Sequence, residues 1–267
     1  MALIYEPRGR AREYAPLACN LYRGCSHRCS YCYAPDATHR KRDDFAQPQT
    51  RGDDFIVRLS REVMCHPGHG ERVLLCFTCD PYQQFDVEQE ITRQAIQVLH
   101  GSGYFVEVLT KGGLRALRDL DLFSDGDAFA STLTLLDASR SLEWEPGAAL
   151  PSDRIAAIEA FHDAGVRTWV SLEPVLDPGM ALEIIRQTHG FVDLFKVGKL
   201  NYENKLAAHL HSQVTGVDWR AFGMAAVDLL HSLNKSYYIK KDLAAYLPLE
   251  YQALRGEMPG QAQEVQP

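Results

Sequence analysis

Three cysteines, Cys25, Cys29 and Cys32, fall within the stretch "LYRGCSHRCSYCYAP", separated by three and then two residues. Thiols this close can be gathered on one loop, and as soft anionic ligands they suit zinc or an iron–sulfur cluster. A structural zinc site asks for four protein ligands, commonly as two separated pairs. It would need a fourth donor from Cys19, His27 or His39. An iron–sulfur cluster held by three thiolates keeps one iron open to an exogenous molecule. An open coordination position is what catalysis uses.

Other groups able to do chemistry sit at the ends of apolar runs. They are Thr78 and Asp80, Thr110 and Lys111, Thr132 and Thr134, Glu173, then Lys196 and Lys199. Cys76 and Cys79 bracket "FT", a weak redox-pair signal because no helix opens directly after them. Strand alternation places Cys76 on the face of Thr78 and Asp80, and Cys79 on the other. Cys65, with His66 and His69, reads as part of a polar loop rather than a second metal site.

Positioning these groups is the work of alternating elements. "RVLLCFTCD", "YFVEVLTK", "AFASTLTLL", "RTWVSLEPV" and "VDLFKVGKL" read as buried strands. Between them, "DVEQEITRQAIQVLHGSG", "GLRALRDLDLF", "PSDRIAAIEAFHDAG" and "GMALEIIRQTHG" read as helices, the third capped by Ser152 or Asp153. A further strand around Pro16–Leu21 brings the count to six β/α units. Such alternation implies a parallel sheet covered by helices. No Gly-x-Gly-x-x-Gly turn follows a strand, which disfavours a dinucleotide-binding open sheet. The expected architecture is α/β, a partial (β/α)6 TIM-like barrel, with polar groups at the carboxyl ends of its strands forming one site. A single domain is expected, with its core over about 15–200, a C-terminal helical extension over 201–250 and a flexible tail over 251–267. Within the extension, "NKSYYIKKDLAAYL" is placed near the barrel mouth, bringing Tyr238 and Lys240 within reach of substrate.

Composition narrows the class. No apolar run is long enough to span a bilayer, and "MALIYEPRGRAREY" turns polar too early for a signal peptide. A cytoplasmic protein without membrane contact is expected. Seven cysteines without an export signal favour metal binding or catalysis over disulfides. The net charge of −7 opposes general polyanion binding. Yet residues 1–61 hold eleven Lys or Arg against seven Asp or Glu, so a basic N-terminal part sits on an acidic body.

"NLYRGCSHRCSYCYAP" together with "CFTCDPYQ" resembles the radical S-adenosylmethionine (radical SAM) superfamily. Within it, the likeness is to the branch of spore photoproduct lyase and its DNA repair photolyase-like relatives. The resemblance covers roughly Leu17 to Leu200. It implies a 4Fe–4S cluster on Cys25, Cys29 and Cys32, with S-adenosylmethionine chelating the fourth iron. One-electron reduction, from a donor such as flavodoxin or ferredoxin, would then yield a 5′-deoxyadenosyl radical that abstracts hydrogen from substrate.

The resemblance also implies residue roles. Tyr31 would pack on the adenine, Thr78 and Asp80 would contact the methionine amino group, and Lys111 would pair with its carboxylate. Thr132 would present a hydroxyl from the fourth strand. Spore photoproduct lyase uses a cysteine on the corresponding strand as a hydrogen-atom donor. Cys76 is the candidate for that role, although neither it nor Cys79 falls at the matching offset and a buried structural thiol is the commoner fate. Glu173 and Lys199, with Lys196, are expected either to bind a zwitterionic or nucleotide substrate or to form an ion pair that closes the barrel. Kinship suggests a nucleic acid or nucleotide substrate, to which "HRKRDD" and Arg8, Arg10 and Arg12 could contribute phosphate contacts. The alternatives are a small metabolite or peptide substrate, or a non-catalytic zinc-binding interaction protein.

Overall fold

Each apolar run assigned to a strand forms one in the computed structural model, which describes residues 2–254. The strands are β1 (Ile4–Tyr5), β2 (Leu17–Cys19), β3 (Tyr22–Arg23), β4 (Gln49–Thr50) and β5 (Arg72–Leu75), then β6 (Phe105–Thr110), β7 (Ala128–Thr132), β8 (Arg167–Leu172), β9 (Leu194–Val197) and β10 (Ser236–Ile239). Eight of them make one sheet in the order β1-β2-β5-β6-β7-β8-β9-β10, and β3 pairs with β4 separately. From β2 to β10 all neighbours run parallel, while β1 is antiparallel to β2. The architecture is the α/β partial barrel expected, extended at its edges by β1 and β10. The expected helical extension over 201–250 therefore contains a strand. β10 adds four residues parallel to β9. Of the expected tail, residues 255–267 lie outside the described part.

Register divides the sheet into two faces. Across neighbouring strands Ala18 stands opposite Leu74, Leu74 opposite Glu107, Glu107 opposite Ala128, and Ala130 opposite Trp169. The apolar members of this row, Ala18, Leu74, Ala128, Ala130 and Trp169, form a small inner cluster with Tyr14 and Ala15. Three alanines leave the inside of a curved sheet room for one Trp. The alternate residues, such as Leu75, Val108, Phe129, Val170 and Phe195, face outward and pack beneath the helices in the main core. Burial on both faces is why these strands read as nearly continuous apolar runs.

An ion pair lies inside the barrel. Lys196 Nζ is 3.2 Å from Glu107 Oε1, donates to the Tyr14 carbonyl at 2.9 Å and sits 3.6 Å from the centre of the Trp169 ring. Burial pulls the Lys196 pKa down to about 8, with Glu107 opposing the shift.

The helices depart from expectation in detail. "DVEQEITRQAIQVLHGSG" breaks at Glu90 (φ 49°), which separates Asp86–Gln89 from Ile91–His100. Gly113–Leu122 is a 3-10 helix. The helix Pro151–Asp163 has neither Ser152 nor Asp153 as its cap: Pro151, with no N–H to satisfy, occupies the first turn after Leu150. Among the described residues no helix is long and apolar enough to cross a membrane.

The N-terminal segment lies between the two ends of the curved sheet. Glu13, buried, accepts from Tyr238 Oη at 2.8 Å and from the Lys241 backbone N–H at 2.9 Å. Tyr14 follows it into the barrel.

Candidate active site

A cavity of about 460 Å³ opens at the carboxyl ends of the strands. Cys25, Cys29, Cys32, Tyr31, Cys76, Thr78, Asp80, Lys111, Thr132, Glu173 and Lys199 all line it. The structure therefore brings the eleven candidate residues together. It adds Arg8 and Lys240, both expected near substrate, and Tyr14, which was not anticipated.

The cysteine loop forms one end and is clasped from several directions. The Cys25 N–H donates to the Phe45 carbonyl at 2.9 Å, and the Ser30 N–H donates to the Trp144 carbonyl at 2.8 Å. Gly147 donates to the His27 carbonyl at 2.9 Å. A Cβ at Gly147 would lie 2.2 Å from the Ser26 carbonyl oxygen, so only glycine permits this close approach. Gln83 accepts from the Ser26 N–H at 2.8 Å.

All three thiols are free. Burial pushes the Cys29 thiol up to about 12 and raises Cys25 and Cys32 as well, while the Lys111 ammonium works in the opposite direction at Cys29 and Cys32. Among the described residues, no three His, Cys, Asp or Glu side chains converge as the ligands of a single ion would.

His27 is not placed to be a fourth ligand. Its Nε2 lies 3.3 Å from an Arg115 Nη2, which can only donate, so Nε2 must accept. The proton then resides on Nδ1, which faces Asp80 Oδ2 at 3.4 Å. Burial lowers the His27 pKa to about 4 and leaves the ring neutral. His39 is exposed, and Cys19 is buried in β2.

Asp80 organises the next part of the wall. Its carboxylate accepts from the Tyr82 N–H at 2.9 Å, Thr110 Oγ1 at 2.6 Å and the Lys111 N–H at 2.7 Å. These bonds tie the ends of β5 and β6 together and use most of its acceptor capacity. Asn20 Oδ1 holds the backbone N–H groups of Phe77 and Thr78 at 2.8 and 2.9 Å. The expected alternation of Cys76 and Cys79 does not hold. β5 ends at Leu75, and in the irregular chain beyond it both thiols line the cavity. Cys79 Sγ accepts from the Tyr22 N–H at 3.4 Å. β7 likewise ends at Thr132, and Thr134 is buried beyond the strand.

Behind Tyr31 runs a buried charge relay that no local sequence pattern announces. The Tyr31 hydroxyl donates to Glu145, whose carboxylate pairs with Arg154 at 2.6 Å. Arg154 also donates to the Thr132 carbonyl at 3.2 Å. Burial alone would raise the Glu145 pKa, but Arg154 and Lys111 hold it below the usual carboxylate range. Lys111 Nζ stands 5.6 Å from the centre of the Tyr31 ring.

At the opposite end, Glu173 pairs with Lys240, not with Lys196 or Lys199. Tyr14 donates to the same carboxylate at 2.5 Å and shares a 2.9 Å hydrogen bond with Ser171 Oγ. Lys199 donates to the Leu200 carbonyl at 2.9 Å and faces the rings of Trp219 and Tyr246. Tyr238, expected within reach of substrate, instead donates to Glu13 and is not among the lining residues; Cys65 is exposed and also lies outside the lining.

A sequence model of the Radical SAM superfamily matches residues 19–192, well over half of the chain. The chain belongs to that superfamily. A relative, the uncharacterized protein Rv2578c of Mycobacterium tuberculosis, is 32% identical over 59% of the chain, which spans 48% of the relative's length. The uncharacterized protein MJ0683 of Methanocaldococcus jannaschii is 24% identical over 68% of the chain and 69% of its own. Spore photoproduct lyase with bound AdoMet and dinucleoside spore photoproduct superposes with a TM-score of 0.62 at 14% identity, covering 84% of this chain and 76% of that one. SuiB of Streptococcus suis bound to S-adenosylmethionine also gives 0.62, at 13% identity over 86% and 52% of the two chains. At such identities these two show a shared radical SAM fold.

The donor set suits the group the superfamily implies. Three free soft thiols face one cavity without meeting at a single point. A multi-iron cluster asks one thiolate of each of several irons, whereas one zinc ion asks all of its ligands to meet.

Proposed function

We propose that this radical SAM enzyme holds a 4Fe–4S cluster on Cys25, Cys29 and Cys32 and binds S-adenosylmethionine beside it, abstracting hydrogen from a nucleic-acid or nucleotide substrate in the manner of spore photoproduct lyase. The observation that carries the reading is that the cysteine triad and strand-end groups from β5 to β8 line one cavity. When bound, the two cofactors supply a 5′-deoxyadenosyl radical.

The chain's own contribution is placement and exclusion of water. Lys111 offers an ammonium beside the triad for a cofactor carboxylate. Tyr31, held by Glu145, presents an aromatic face, and Thr132 and Thr78 offer hydroxyls. Asp80 fixes the backbone around them. Support for a nucleotide-class substrate comes from the dinucleoside bound by the structurally similar lyase and from the cations at the far end of the cavity.

The test is anaerobic reconstitution with iron and sulfide, then reduction in the presence of S-adenosylmethionine. Formation of 5′-deoxyadenosine is expected, with deuterium entering it from a labelled nucleotide or oligonucleotide. Protein that takes up zinc and no iron would overturn the reading.

A further inference from the structure

The charges around the cavity are unevenly satisfied. Of its two carboxylates, Asp80 is engaged by His27, Thr110 and backbone N–H groups, and Glu173 by Lys240 and Tyr14. On the cationic side the account does not balance. Among the described residues Lys199 has only the Leu200 carbonyl and two aromatic faces. Arg10 reaches Asp242 at 3.6 Å, beyond hydrogen-bonding distance, and that carboxylate is taken by Asn201 Nδ2 at 2.7 Å. Arg8, just before the 3-10 helix Gly9–Glu13, has no hydrogen bond or ion pair with any described residue.

Two of these cations, Arg8 and Arg10, come from the basic N-terminal part, and Lys199 joins them at the same cavity from the acidic body of a chain of net charge −7. Arginine forks match the oxygens of phosphate in pairs, and lysine adds a point charge. Beside them Tyr202, 51% exposed, lines the same cavity, with Arg10 5.6 Å from its ring centre. An exposed aromatic face next to oxyanion donors suits a planar base joined to a phosphate.

We propose that Arg8, Arg10 and Lys199 form an oxyanion subsite that takes the phosphate of a nucleotide-class substrate, placing the sugar and base toward the cysteine end. The proposal rests on the nucleotide reading above and adds to it the group that is gripped and the residues that grip it. Lys199 thereby acquires an anchoring role, while Glu173 belongs to the wall.

The experiment uses anaerobically reconstituted protein with S-adenosylmethionine. Binding of the four deoxynucleoside 5′-monophosphates is compared with that of the matching nucleosides, with inorganic phosphate as competitor. The variants are Arg8→Gln, Lys199→Gln and Arg12→Gln. Arg12, which bonds to the Pro16 carbonyl outside the cavity, controls for the loss of one charge.

At least one monophosphate is expected to bind more tightly than its nucleoside. Arg8→Gln and Lys199→Gln should each weaken it roughly tenfold, the scale of one charge-assisted hydrogen bond. Arg12→Gln should leave it unchanged. Tight monophosphate binding that both cavity variants leave intact would sink the subsite while sparing the nucleotide reading. Phosphate that binds and loses affinity in both variants, with no affinity for any nucleoside or nucleotide beyond phosphate itself, would uphold the subsite and sink the nucleotide reading. Equal affinity for nucleoside and nucleotide would sink the subsite alone.

Discussion

Lys240, just beyond the end of β10, closes on the carboxylate of Glu173, which follows β8, two strands along the sheet. The two partners are not equally replaceable. Glu173 keeps Tyr14 when Lys240 is lost, whereas Lys240 without Glu173 keeps only the face of the Tyr14 ring at 4.1 Å. Glu173→Ala is expected to cost about 3 kcal/mol, the usual penalty for stranding a buried charge. Lys240→Met should cost less. Denaturant unfolding of both variants checks the order, and equal losses would contradict it.

Gly147 sets the position of the cysteine loop from a distance in sequence. Gly147→Ala drives a Cβ into the Ser26 carbonyl and should destabilise by about 1–3 kcal/mol. Iron retention after reconstitution should fall with it. Gly190→Ala, where a Cβ meets nothing within 4 Å, should change stability by no more than about 0.5 kcal/mol and leave iron unaffected. Iron analysis beside thermal unfolding measures both effects.

The Lys196–Glu107 pair inside the barrel yields a pH prediction. Lys196→Met alone leaves Glu107 buried without its cation and should cost about 3–5 kcal/mol. The double variant Glu107→Leu/Lys196→Met should recover most of that loss. Because the folded pKa of Lys196 is about 8 against an ordinary 10.5, the unfolded chain binds more protons between those values. Wild type should therefore gain stability relative to the double variant as pH rises from about 8 to 10.5. Below pH 8, where Lys196 is charged in both states, the difference should be flat. Paired denaturation curves across that range test the sign.

Cysteine replacement separates cluster ligands from structural thiols. Cys25→Ser, Cys29→Ser and Cys32→Ser should each lose iron on anaerobic reconstitution and form no 5′-deoxyadenosine. Cys65→Ser, on an exposed residue, should keep both. Iron retained at wild-type level in any of the first three would remove that residue from the proposed ligand set.

The six central strands were legible because burial on both faces leaves an unbroken apolar signature. β10 escaped because four residues, "SYYI", follow a helix closely and run straight into lysines. The triad was legible because its spacing is local. The partner of Glu173 was not, since Lys240 lies 67 residues away while Lys196 and Lys199 are nearer in sequence. Tyr14 gave no signal, standing in a polar N-terminal stretch whose importance comes from where the chain is threaded. Glu145 and Arg154 were missed for a related reason: a buried ion pair has no period.

The stitch between Glu13 and the Tyr238–Lys241 turn bears on how the molecule comes into being during synthesis. A ribosome delivers the cysteine loop early, but the last wall of the chamber does not exist until some two hundred residues later. The stitch from Glu13 to Tyr238 and Lys241 can form only after those residues have been made, so the N-terminal segment waits for the last strand before it is held at both ends.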